Sequence, residues 1–334
     1  MTTATLENVN LADLSMRIAV GQINDLTEEH LAFARQVGAE DIQMNTPRLP
    51  GDERWEYEDL LALRKRAEAA GLRLIALENV PVRFYVKIMT GAEGRERQME
   101  NMIATIRNMG KAEIPILGYH WMPNGVWRTS FETKVRGGAV SNEFRYAQVK
   151  DAPYTHGRLF THDEMWANYD WYMERILPVC EEAGVRMALH PDDPPVPMLG
   201  GVARLFTNFE GFRRAMETHP SPMHGLDFCH GCWSEMRGGE GILDAIEWFG
   251  TRGRLFYIHL RDVQGCATDF EECFVEEGNS DIVAVIKKLR EVGFQGFILD
   301  DHVPHLVNDS PYGHRGRAYA IGYIRGLLRA IPAV

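Results

Sequence analysis

Short runs of apolar residues alternate with longer stretches of helical period along most of the chain. The runs fall at Met16–Gly21, Asp41–Asn45, Arg73–Leu77, Ile114–Tyr119, Arg186–His190, His224–Cys229, Leu255–His259 and Gly296–Asp301. Their hydrophobicity is continuous rather than alternating, which predicts strands covered on both faces, as in a parallel sheet. Between them, Thr90–Glu93, Thr161–Glu164 and Thr207–Glu210 have the T-x-x-E spacing of a capping box and predict helix starts. Gly38, Gly71, Gly184 and Gly293 predict helix stops, each followed within a few residues by the next strand.

The alternation yields eight strand–helix units, the last helix falling at about residues 316–329. This predicts an α/β fold, a single (β/α)₈ barrel over residues 1–334 with an N-terminal extension at 1–15. A doubly wound open sheet is the competing architecture. Its dinucleotide-binding form is disfavoured, because no Gly-x-Gly-x-x-Gly follows the first strand. One connection breaks the compact pattern. Over about residues 121–161 the chain offers Pro, Gly, Arg, Asn and aromatic residues without clear period. An irregular insertion is therefore expected after the fourth strand, at the catalytic face of a barrel, where it would serve as an active-site lid. A surface excursion or an oligomer contact is the plainer alternative.

Composition narrows the partners. The chain has 334 residues, 45% of them hydrophobic and 25% charged, with a net charge of −11, which excludes disorder as its main state. The acidic balance and the lack of a Lys/Arg-rich run argue against nucleic acid as a partner. The first fourteen residues lack the basic start and apolar stretch of a leader. No apolar run approaches the roughly 18 residues of a membrane span, so a soluble, cytoplasmic protein is expected. Five cysteines, an odd number in a chain this long, suit buried thiols or metal ligands better than a disulfide framework.

The ends of the last four expected strands carry the candidate chemistry. They close on His190 in ALHPDDPP, Cys229 in LDFCHG, His259 in YIHLRD and Asp301 in ILDDHVPH. In a barrel, four consecutive strand ends share one mouth, so two imidazoles, a thiolate and a carboxylate would converge as a divalent-metal site. Carboxylate and imidazole suit Mn²⁺ or Fe²⁺, whereas thiolate draws toward Zn²⁺ or Fe²⁺, and ligand softness alone does not choose. A closed structural zinc site is the alternative, though such sites usually draw on short local spacings. Cys229 and Cys232 form a C-x-x-C that a redox pair or half a zinc ribbon would also use. His302, directly after Asp301, and Tyr312, in the loop SPYGHRGR, are candidates for proton transfer. Arg261 is a candidate to bind a substrate carboxylate or to orient a ligand. Asp192 and Asp193 are candidates for substrate hydroxyls or for support of the ligands, with a rigid solvated turn as the bland alternative.

The segments ALHPDDPP, GLDFC, IHLRD, DDHVP and HRGRAYAIGYIRGLL resemble, in order and spacing, the mannonate dehydratases of sugar-acid degradation. The segment YHWMPNGVWRTSFETKVRGGAVSNEFRY is similar to that family's long insertion, so the resemblance covers nearly the whole chain from Met16. It implies a xylose-isomerase-like TIM barrel holding one Mn²⁺, or another divalent ion such as Fe²⁺. It also implies removal of water from D-mannonate to give 2-keto-3-deoxy-D-gluconate. Carried onto this sequence, the metal ligands fall on His190, Cys229, His259 and Asp301, and the proton-transfer residues on His302 and Tyr312. Arg261 and Asp192 are then expected at the sugar-acid substrate, and a homo-oligomer is favoured. Cys229 is followed by His-Gly-Cys, where the family carries small hydroxyl residues and glycine. A different aldonate therefore stays an alternative, as do a metal-dependent sugar isomerase or epimerase of the same fold and a non-catalytic sugar-binding protein with a structural metal.

Overall fold

The structure, a computed structural model, describes residues 15–332. Apart from Ser15, the extension expected at residues 1–15 lies outside the described residues. In chain order the strands are β1 (Arg17–Val20), β2 (Asp41–Asn45), β3 (Arg73–Glu78), β4 (Ile116–Tyr119), β5 (Ser130–Lys134), β6 (Val140–Arg145) and β7 (Arg186–Leu189). They continue as β8 (Met198–Leu199), β9 (Val202–Ala203), β10 (His224–Cys229), β11 (Leu255–His259), β12 (Val263–Cys266), β13 (Asp269–Glu272) and β14 (Phe297–Leu299). The α-helices are α1 (Glu28–Val37), α2 (Tyr57–Ala69), α3 (Val86–Thr90), α4 (Arg95–Lys111) and α5 (His162–Ala183). After them come α6 (Phe209–Thr218), α7 (His230–Arg237), α8 (Ile242–Gly250), α9 (Ile282–Glu291) and α10 (His314–Ala330).

Each of the eight apolar runs holds one strand of a closed parallel barrel, in the order β1-β14-β11-β10-β7-β4-β3-β2. The doubly wound alternative is thereby excluded. Continuous burial explains why the runs do not alternate: every residue of β10 and of β11 is buried. Helices cover the outside, where Leu31, Leu60, Ile106, Ile176, Ile246 and Ile321 join one large core. Each such side chain stabilises the fold by about 1.5–3 kcal/mol. A smaller cluster joins Ala19, Ala76, Ala188, Tyr257 and Phe297. These come from strands that are not all neighbours, so their common meeting place is the barrel interior. Gly118 leaves room there for Tyr257, since a Cβ at that position would lie 2.1 Å from the tyrosine hydroxyl.

Helix starts follow the capping chemistry at one of the three expected positions. Thr161 caps α5, its Oγ1 accepting the Glu164 N–H at 3.3 Å. At the Thr207–Glu210 box the cap is instead Asn208, one residue later, whose Oδ1 accepts from the Gly211 N–H. Thr90 ends α3 rather than opening a helix, and α4 starts after Gly94 in a left-handed conformation at φ 85°.

The insertion expected to be irregular carries regular structure. Its strands β5 and β6 pair antiparallel, and β6 pairs with β13, which pairs with β12, to give a four-stranded sheet beside the barrel. The pattern hid it because only Ser141 and Phe144 of β6, and no residue of β5, are buried. Phe144 lies opposite Phe270 of β13 and packs with Val196, Leu199 and Val263. The sheet also grips the loop after β14, through paired backbone hydrogen bonds between Val140 and His305 at 3.0 and 2.7 Å.

Candidate metal centre

Parallel register sets the site. Cys229 and His259 are the last residues of β10 and β11 and are register partners, while His190 follows β7 and Asp301 lies two residues beyond β14. His190, Cys229 and His259 each offer a ligand atom, and these atoms all lie within 4.8 Å of one another. Asp301 joins from the side, with Oδ2 3.7 Å from Cys229 Sγ and Oδ1 3.8 Å from His259 Nδ1. All four residues are buried.

The ring nitrogens show which lone pairs are free. His190 Nδ1 lies 2.7 Å from the Pro191 carbonyl. A carbonyl only accepts, so Nδ1 carries the proton and Nε2 is left as a donor to metal. Among the described residues, His259 has no hydrogen-bond partner at either buried nitrogen. Its Nε2 is 3.2 Å from Glu78 Oε2 and 3.6 Å from Asp227 Oδ2, two carboxylates deeper in the barrel. A buried imidazole left without partners is costly; a cation at one nitrogen and a carboxylate near the other satisfies it. The donor set therefore fits a divalent ion. Glu78, His190, Asp227 and His259 form an overlapping second set within 4.8 Å.

Charge is arranged to match. Burial opposes ionisation of the Cys229 thiol, but its hydrogen bond with Cys232 and the nearby Arg261 and His190 charges outweigh burial and bring its pKa well below the ordinary thiol value. Cys229 also caps α7, where the helix dipole favours a thiolate. Cys232 goes the other way, raised first by burial and then by donating to Cys229. Asp227 is pushed up to about 8, first by burial and further by Glu78 and Cys229, against the pull of His259 and His190.

Two residues expected at the substrate have partners within the protein. Arg261 is buried, and it donates from Nε to Asp301 at 2.8 Å, from Nη1 to Glu235 at 2.9 Å and from Nη2 to Asp193 at 3.0 Å and Cys232 Sγ at 3.3 Å. Those donors are engaged by the protein's own groups, the candidate ligand Asp301 among them. The Arg261 guanidinium also serves the acidic group of Asp193, Cys232 and Glu235, a third set that lies within 4.8 Å. Gly231 makes room for it, since a Cβ there would lie 2.5 Å from Nη1. His230 Nδ1 meets the Arg261 carbonyl at 2.7 Å, so His-Gly-Cys after Cys229 forms the Arg261 cradle. Asp192, expected at the substrate, is buried and spent on the Phe206 N–H at 2.6 Å and Arg204 at 3.5 Å.

The two proton-transfer candidates part company. His302 is 31% exposed, with Nε2 3.8 Å from Asp301 Oδ1 and Nδ1 2.7 Å from Glu272. Burial works to lower its pKa, but the Asp301 and Glu272 carboxylates outweigh it and hold the value above the ordinary one. Tyr312 instead donates its hydroxyl to the Gly21 carbonyl at 2.7 Å and packs edge-on against His30 and Phe33. It braces the turn whose Gln22 amide donates to Asp301 at 2.7 Å.

Sequence reasoning missed Glu78, Asp227, Glu235, Glu272 and Arg128. For Glu78 and Asp227 a signal existed, an acid inside a wholly apolar strand run, RLIALE or GLDFC. Glu272 and Arg128 meet at 2.6 Å across 144 residues, a pairing no local pattern reveals.

Known proteins resemble this chain over most of its length. The model of the family "D-mannonate dehydratase (UxuA)" matches residues 21–159 and 154–334. A mannonate dehydratase of Thermotoga maritima is 30% identical over 324 residues, covering 85% of this chain and 88% of the relative. One of Streptococcus suis is 29% identical, covering 84% of each. The crystal structure of mannonate dehydratase from Streptococcus suis serotype 2 superposes with a TM-score of 0.87 at 28% identity, covering 95% of this chain and 93% of that one. An L-ribulose 3-epimerase, at a TM-score of 0.61 and 14% identity over 95% of both chains, shares the barrel fold alone. The chain belongs to the D-mannonate dehydratase family of hydro-lyases.

Proposed function

We propose that this protein is a divalent-metal-dependent dehydratase converting D-mannonate to 2-keto-3-deoxy-D-gluconate, with Mn²⁺ as the working ion. The observation that carries this reading is the meeting of His190, Cys229 and His259 with Asp301 at one barrel mouth, beside the accessible His302. Those four ligands hold the ion, which supplies Lewis acidity beside the substrate carboxylate and makes the C2 proton easier to remove.

The chain's own groups do the rest. Arg261 and the Gln22 amide fix the Asp301 carboxylate from two sides, so that it keeps its orientation as substrate arrives. His302 is the proton carrier, and Nε2 is the nitrogen that acts on the substrate. The C2 proton and the 3-hydroxyl leave together as water, and the enol tautomerises to the 2-keto acid. Tyr312 takes the role of a brace for Gly21 and Gln22 in this scheme, because its hydroxyl is already donated.

Incubation of the Mn²⁺-loaded protein with D-mannonate in D₂O, followed by NMR, tests the reading. The expected outcome is 2-keto-3-deoxy-D-gluconate with deuterium at C3, and no product after EDTA treatment that leaves the circular dichroism spectrum intact. Turnover that persists after complete metal removal would sink it, as would turnover of a different aldonate alone.

A further inference from the structure

The insertion sheet reaches into the mouth at one point, through Glu272, the last residue of β13. Its side chain is only 2% exposed, and donors converge on it. Oε1 accepts from Arg128 Nε at 2.9 Å and Nη2 at 2.6 Å, and Oε2 accepts from Asn142 Nδ2 at 2.6 Å. Guanidinium and amide N–H groups only donate, so both carboxylate oxygens act as acceptors and Glu272 carries no proton of its own. His302 Nδ1, 2.7 Å from Oε1, must then supply the hydrogen of that contact.

We propose that Glu272 is the positioning residue for His302: it locks the ring in the Nδ1–H tautomer and thereby makes Nε2 the nitrogen presented to substrate. The inference rests on the reading of His302 as proton carrier. The opposite tautomer would set a ring lone pair against a carboxylate and forfeit a charge-assisted hydrogen bond. The presented nitrogen faces the correct side, since Nε2 is the atom 3.8 Å from Asp301 Oδ1.

Glu272 and the His302 loop are also held by one sheet. Glu272 sits on β13, Asn142 on β6, and Arg128 just ahead of β5, where it also binds Asp193 at 2.5 and 2.8 Å. The Val140–His305 bridge fastens the loop of His302 to the same sheet. The four-stranded sheet thus aims His302 through both its side chain, from Glu272, and its backbone, from Val140.

The first test needs no turnover. Protein labelled with ¹⁵N-histidine and loaded with diamagnetic Zn²⁺ gives long-range ¹H–¹⁵N spectra, in which His302 is assigned by its loss in His302→Asn. The expected pattern for the wild type has a proton on Nδ1. An Nε2–H neutral tautomer overturns the proposal, whatever the substrate proves to be. In the second test, Glu272→Gln should lower kcat on D-mannonate by at least about 100-fold, with KM within about threefold and metal content unchanged. Glu272→Asp should recover part of the loss. A Glu272→Gln enzyme with kcat within threefold of wild type defeats the proposal. If Glu272→Gln does not fold, the wild-type tautomer decides. If D-mannonate is not turned over, the proposed substrate fails while the tautomer result still stands or falls by itself.

Discussion

The two ends of the barrel treat buried charge in opposite ways. At the strand starts, Asp41 opens β2 between Arg17, which opens β1, and Arg73, which opens β3. Each of its oxygens takes an arginine N–H, and Arg17 goes on to donate to the Gln295 carbonyl at 3.0 Å. At the strand ends, both oxygens of Asp227, one oxygen of Glu235 and both nitrogens of His259 lack a hydrogen-bond partner among the described residues, although buried. The first network is closed and serves stability. The second is incomplete as protein alone, which is what a site built around an exogenous cation requires.

Substitutions at the two ends should therefore separate activity from stability. The largest effect is expected at the top. His259→Ala should reduce metal affinity by more than the roughly 10- to 100-fold typical of an outer partner, and turnover with it. Metal analysis together with D-mannonate kinetics reads both, and a His259→Ala protein that keeps its metal would remove His259 from the ligand set. At the bottom, Asp41→Ala leaves Arg17 buried without its counter-ion and should cost about 3–5 kcal/mol in urea denaturation. The kcat of its folded fraction should stay within about twofold of wild type. A large kcat defect in Asp41→Ala at normal metal content would show that the two ends are coupled.

A subtler contrast lies between two buried histidines on neighbouring strands. His224 opens β10 with both nitrogens occupied: Nδ1 faces the His219 carbonyl at 3.0 Å, and Nε2 faces the Tyr169 and Tyr119 hydroxyls at 3.1 and 3.3 Å. Burial pushes its pKa down to about 3. The unfolded chain, with a histidine pKa of about 6.5, takes up a proton that the folded one refuses. Stability is therefore full above about 6.5 and is lost as pH falls from there toward 3, at up to about 1.4 kcal/mol per pH unit. His224→Gln should flatten that part of the stability profile measured by denaturant titration. An unchanged slope would mean that His224 takes up its proton in the folded state.

What was legible in the sequence follows from how local each feature is. The barrel could be read because each strand falls in one short, mostly apolar run between stretches of helical period, and the meeting of His190, Cys229 and His259 because they sit at the C-terminal ends of such runs. Arg261 and Asp192 were harder. A charged residue next to a ligand looks the same in sequence whether it meets substrate or its own protein, and only burial with named partners separates the two. The insertion sheet was the least legible part. Its strands bury few residues, and the links that hold its two hairpins together join residues 126 and 144 apart, as Phe144 with Phe270 and Arg128 with Glu272. A period of two cannot develop where so little of a strand is covered.

The Val140–His305 bridge has a consequence for how such an enzyme can be rebuilt or can diverge. The proposed ligands, at or just beyond the ends of barrel strands, belong to the scaffold and travel with any copy of it. The aim proposed for His302, set by an appended sheet through Glu272 and the backbone at His305, travels with that appendage. A bare barrel grafted with the four ligands would keep a cation but inherit an unaimed histidine. Exchange of the whole four-stranded sheet between relatives, both hairpins together, in turn offers a way to alter the proton chemistry while leaving the ion's seat untouched.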